Sequence, residues 1–181
     1  MPDDFGDLVV ALRCVQDQIR LADLPAEQSR QAAEHLRQVA GLASRHPGTL
    51  GTEPTSRRPD LPGRGNAVIP GFVMNDEMEQ RSVGAGMFSA AHLGRGAVHG
   101  GSITLIFDEV MGRLIEREGR QARTAYLHVD FRGLVPIDVR LELNAKVDRE
   151  DGRKVFASAN LRQGALVLAD AEGLWVTPRF R

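Results

Sequence analysis

Ile103, Ile106, Phe107, Val110, Met111 and Leu114 recur at the three- and four-residue intervals of one helix face. Leu105 and Ile115 fall outside that stripe, so the spacing predicts a central helix that is apolar round most of its girth. Polarity returns at Arg113, Glu116, Arg117 and Glu118, and Gly119 supplies a stop. Leu8, Val9, Leu12, Val15 and Ile19 mark a second helical stripe. Ala32, Ala33, Leu36, Val39, Ala40 and Ala43 mark a third, with Asp23 and Pro25 at its start.

Other segments alternate as strands do. They lie near Ala67–Met74, Ser82–Ala90, Thr124–Phe131, Arg140–Val147, Lys154–Arg162 and Leu166–Thr177. Asp151-Gly152 and Gln163-Gly164 read as hairpin turns between the last three. One apolar helix among about six largely antiparallel strands is an α+β pattern, with the sheet wrapped around the helix. Pro47, Gly48, Gly51, Pro54, Pro59, Pro62, Gly63 and Gly65 break up the stretch before the first strand. The expected organisation is a helical segment over 1–45, a linker over 46–66 and one domain over 67–181. The helical segment should pack on that domain or on a second copy.

Composition narrows the function classes. Lys+Arg is 23 against Asp+Glu 24, which excludes bulk attraction to nucleic acid. The helical segment carries both charge signs and does not read as a DNA-binding pair. Cys14 is the single cysteine, so no intrachain disulfide or cysteine-based zinc site forms. No metal-ligand cluster or phosphate loop is evident, and no metal or cofactor is expected. No apolar run reaches the ~20 residues of a membrane span, and the acidic start Met1-Pro2-Asp3-Asp4 lacks a secretory pattern. A cytoplasmic location is expected.

The chemistry concentrates around the central helix. Gly100 and Gly101 precede it, and their N–H groups fall at its positive end. Asp108 is an acid inside the apolar run, roughly 130° from the centre of the stripe. Anion-stabilising donors and a half-hidden acid read as an acyl-transfer or hydrolysis site. The two groups stand roughly 12 Å apart along the helix axis, too far to meet one reacting carbon. Two copies packed in opposite directions bring each Gly100 to the other's Asp108, which points to a two-fold dimer with shared sites.

His99-Gly100-Gly101, with Asp108 nine residues after the His, resembles the signature of hotdog-fold acyl-CoA thioesterases of the phenylacetate-pathway type. The runs Arg123–Phe131 and Asp151–Asn160 are similar to that family's strand after the helix and its later hairpin. The resemblance implies a hotdog fold, acyl-CoA as substrate, a place in lipid metabolism, and a homodimer or dimer of dimers. It implies that Gly100 donates its N–H to the thioester oxygen, with Gly101 beside it in substrate binding. Asp108 serves as base or nucleophile from the opposite subunit, and Thr124 places water or the acid. His99 shapes the turn and polarises the carbonyl. The family often has an Asn six residues before the His, where this chain has Leu93, with His92 beside it. His92 and His128 read as structural.

The chemistry is consistent with this. A thiolate leaving group, of pKa about 8.5 like a free Cys, needs no strong general acid. Two other readings remain: a hotdog hydratase or dehydratase, which would need a catalytic His pattern absent here, and a non-catalytic acyl-CoA sensor, which would not need Asp108.

Overall fold

The computed structural model describes residues 4–49, 53, 58, 60–78, 80–117 and 119–179, the side chains of 75–77 excepted. Two N-terminal helices, α1 (Asp4–Leu21) and α2 (Ala26–Ala43), are followed by strands β1 (Gly71–Met78) and β2 (Arg81–Met87). Helix α3 (Gly100–Arg117) comes next, then β3 (Arg123–Phe131), β4 (Leu141–Asp151), β5 (Lys154–Gln163) and β6 (Leu166–Val176). The six strands form one antiparallel sheet in the order β1-β2-β4-β5-β6-β3. The sheet wraps α3, as the alternation predicts, and this is the hotdog fold.

The core is the seam between α3 and the sheet. Phe107, Met111 and Leu114 are wholly buried, together with Leu141, Leu143 and Leu161 from the strands. Every residue of the predicted α3 stripe is buried, and Ile115 with them. Burying side chains of this size is worth ~1.5–3 kcal/mol each, so the stripe fixes the rotation of α3 about its axis. Gly152 and Gly164 adopt φ of 54° and 57° at the two hairpin turns. Gly119 has φ 75° and its N–H bonds the Glu116 carbonyl, ending α3 where the sequence places the stop.

The first strand begins four residues later than its apolar pattern predicts. Residues before Gly71 are held in a turn instead: Ile69 N–H bonds Asn66 O at 3.2 Å, and Val68 N–H bonds the Asn66 side chain at 3.0 Å. Pro62–Gly65 forms a 3-10 turn. The linker positions Gly51, Pro54, Arg57 and Pro59 lie outside the described residues, as does Glu118 at the end of α3.

Helix α1 docks on the domain through Val9 and Gly6 and through three polar ties. Arg13 Nη2 donates to the carbonyls of Pro62, Asn66 and Ile69 at 3.2, 2.8 and 2.7 Å. Asp17 accepts from Ala91 N–H at 2.9 Å, and Arg20 donates to Leu93 O at 2.9 Å. Helix α2 buries none of its residues within the chain, and Leu36, Val39 and Leu42 stay exposed.

Candidate active site

The N-terminus of α3 is built by the loop before it. Gly94 N–H bonds Ala97 O at 2.7 Å, closing a tight turn in which Gly96 has φ 76°. His99 then caps the helix. Its carbonyl accepts from Ser102 and Ile103 N–H at 2.9 and 3.4 Å, and its Nδ1 accepts from Gly101 N–H at 3.0 Å. A neutral imidazole that accepts at Nδ1 carries its proton on Nε2. His99 therefore offers an outward N–H donor, and it is exposed. The Gly101 amide is already used, so its contribution is to the cap. The Gly100 N–H meets no acceptor among the described residues. It is the free donor at the positive end of α3.

Asp108 lies two turns further along and is half-buried. Thr124 Oγ1 donates to its Oδ1 at 2.8 Å, so the acid that leaves the apolar stripe faces β3 of its own chain. A β-bulge makes this possible. Thr124 pairs with Trp175 and Tyr126 with Leu174, leaving Ala125 without an opposite residue. In unbroken alternation Thr124 would share the outer face with Tyr126 and His128. The extra residue turns it to the inner face, with Leu127 and Trp175. Thr124, an expected site residue, is thus aimed by a feature that the alternation conceals.

Asp108 and Thr124 line an open groove of about 430 Å³ with Gly112, Trp175 and several arginines. One of these is Arg64, from the stretch whose prolines and glycines predict a linker. Its φ of 54° is in the left-handed region, between Gly63 at 60° and Gly65 at 78°. Its guanidinium bonds Glu109 at 2.8 Å and Glu116 at 3.1 Å. Burial works against its charge, but the two carboxylates outweigh it and hold the guanidinium above its ordinary range. His99 and Gly101 line a different pocket of about 310 Å³, with Gln16, Val68 and Leu105. Within one chain the two halves of the expected site therefore open into separate cavities.

His92 is buried, accepts from Ser89 N–H at 3.1 Å through Nδ1, and stacks edge-on against Phe88. Burial pushes its pKa below the ordinary 6.5. Its own carbonyl takes the His99 N–H at 2.8 Å, so it supports the loop behind the cap. His128 is exposed, 3.4 Å from Asp130. Among the described residues no three His, Cys, Asp or Glu side chains gather to hold a metal, and no helix is long and apolar enough to cross a membrane.

A sheet wrapped on one helix, with a free amide at the helix start and an acid two turns along it, defines a hotdog domain, and the family model of the thioesterase superfamily matches residues 95–169. The chain is 26% identical to a crystallised thioesterase superfamily protein, RHA08564, with a TM-score of 0.80 over 97% of this chain and 96% of that one. That match extends beyond the hotdog domain into the N-terminal helices. It is 30% identical over 83 residues to acyl-coenzyme A thioesterase THEM4 of Bos taurus, 45% of this chain and 34% of that protein. The chain thus spans about a third of that curated relative's length. A hypothetical thioesterase of Streptococcus pneumoniae crystallised with coenzyme A shares the fold at 13% identity, TM-score 0.57, over 61% of this chain and 90% of that one.

Proposed function

We propose that the chain hydrolyses acyl-coenzyme A to the free acid and coenzyme A, at a site shared between two copies. Gly100 N–H and His99 Nε2–H receive the thioester oxygen as negative charge develops on it. Asp108, held by Thr124, takes the proton of the attacking water, or attacks the carbonyl carbon itself to form an anhydride that water then cleaves to the free acid. The C–S bond breaks and the thiolate leaves without needing a proton. The CoA-bound relative of the same fold supports the substrate class. The Streptococcus pneumoniae protein was also crystallised as an Asp→Ala and as a Thr→Ala variant sixteen positions apart, the spacing of Asp108 and Thr124 here.

One observation carries the shared site. Strand β3 is the sheet's edge, paired only with β6. Its first end meets Asp108 through Thr124. Its last end meets Gly100, where an added Cβ would stand 3.2 Å from the Phe131 ring. Two copies joined antiparallel along β3 lay the Thr124 end of one against the Phe131 end of the other. Asp108 then comes beside the partner subunit's Gly100, which one helix cannot arrange. Exposed Tyr126 and Phe131 give that edge an apolar reason to be covered. A free-thiol assay over aromatic and short-to-long aliphatic acyl-CoAs, with Asp108→Asn as the control, tests the reading. Thiol release by the parent alone supports it. Tight binding of a thioether analogue without any hydrolysis leaves a sensor instead.

A further inference from the structure

The two cavities along α3 differ in charge. The pocket beside His99 has no arginine or lysine in its wall, whereas the groove beside Asp108 has Arg64, Arg113, Arg120 and Arg123 against Asp108, Glu109 and Glu116, an excess of positive charge. Pairing decides which charges are left over in the groove. Arg64 spans Glu109 and Glu116, and Arg120 bonds Glu150, so neither of these guanidinium groups is left over. Arg123, exposed and directly before Thr124, donates only to the Ala122 carbonyl at 3.1 Å among the described residues. A guanidinium has five N–H donors in a fork that fits phosphate oxygens.

We infer that this groove seats the phosphates of the coenzyme A moiety, with Arg123 as their principal contact and Arg64 screening Glu109 and Glu116 beside them, and that the uncharged pocket beside His99 takes the acyl group. This rests on the acyl-CoA reading. The substrate's charge makes the division: coenzyme A is polyanionic at one end, and an acyl group is not. A shared site has one opening from each copy, so the cationic one receives the anionic end. The strained turn at Arg64 has a place in this scheme. It carries a cation from the segment before β1 onto α3, where it offsets one of the two carboxylate charges that would repel a phosphate.

The test compares one acyl thioether carried on coenzyme A or on pantetheine, which lacks the nucleotide phosphates. Calorimetric titration of the full chain needs no turnover, so failure of the hydrolysis reading leaves it intact. The parent should bind the coenzyme A form more tightly, and the preference should shrink as salt rises. Arg123→Gln should cut that preference on the order of tenfold, the worth of one charge-assisted bond to phosphate, and Arg123→Lys should recover part of it. Arg64→Gln should cut it too, with circular dichroism confirming the fold of each variant. A parent that does not distinguish the two compounds overturns the proposal. So does an Arg123→Gln variant that weakens both equally or neither.

Discussion

Thr124 holds Asp108 across the helix–strand seam by a 2.8 Å hydrogen bond from Oγ1 to Oδ1. The bond fixes the rotamer of the acid and leaves its second oxygen for water or substrate. Asp108→Asn keeps the size and removes the charge, so analogue binding should survive while turnover falls by ~10²–10⁴. Thr124→Val should cost less, since the acid remains and only its placement is lost. Thr124→Ser keeps a hydroxyl and should stay near the parent rate. An Asp108→Asn variant with parental kcat would make the acid structural.

Sharing of the site predicts complementation. Gly100→Pro removes the proposed donor at the first helical position, where proline is well tolerated. It should lower kcat by ~10²–10³. Gly100→Ala keeps the N–H and meets only the movable tip of the exposed Phe131 ring, so it should lose far less. Mixing Gly100→Pro with Asp108→Asn chains and letting them exchange should restore about a quarter of the parental activity, from one intact site per mixed dimer. A site contained in one chain would recover nothing.

What could be read beforehand follows from which forces are periodic. The α3 stripe and the strand alternation are burial patterns, and burial fixed the helix, the sheet strands and the hairpin turns. The aiming of Thr124 is not periodic. It depends on one unpaired residue, Ala125, and nothing in Arg123-Thr124-Ala125-Tyr126 marks a bulge. Arg64 was hidden for a different reason. Its glycine flanks signal a turn, but its partners Glu109 and Glu116 lie 45 and 52 positions away, a pairing only the fold reveals. The same holds for Arg13 and its three carbonyls.

Arg13 is the polar anchor of α1. Its Nη2 serves three carbonyls while burial lowers its pKa, so it is a partly desolvated cation whose stabilisation is carried by those bonds. Arg13→Met keeps much of the apolar stem and removes the donors, leaving the carbonyls to find water. The expected loss is about 1–3 kcal/mol, or a few degrees in Tm. Cleavage by trypsin after Arg20, in the last turn of α1, should quicken as α1 loosens. An unchanged melting curve and digestion rate would show that α1 is held by its apolar contacts alone.

His92 gives the fold a pH dependence whose sign can be worked out. Burial favours its neutral form and outweighs the contrary pull of Ser89 and Asp17. The folded pKa therefore lies below the ordinary 6.5 of the unfolded chain. Below about pH 6.5 the unfolded state takes up a proton that the folded state refuses, so stability falls with pH. The contribution is full above that value and is lost as pH drops towards the lowered folded pKa. Because His92 O holds the His99 N–H, the loss should loosen the cap of α3 as well. His92→Gln keeps an acceptor and cannot titrate in this range. Urea unfolding at about pH 7.5 and about pH 5.5 should show a smaller drop for His92→Gln than for the parent, with the carboxylates common to both. Equal drops would place the pH dependence elsewhere.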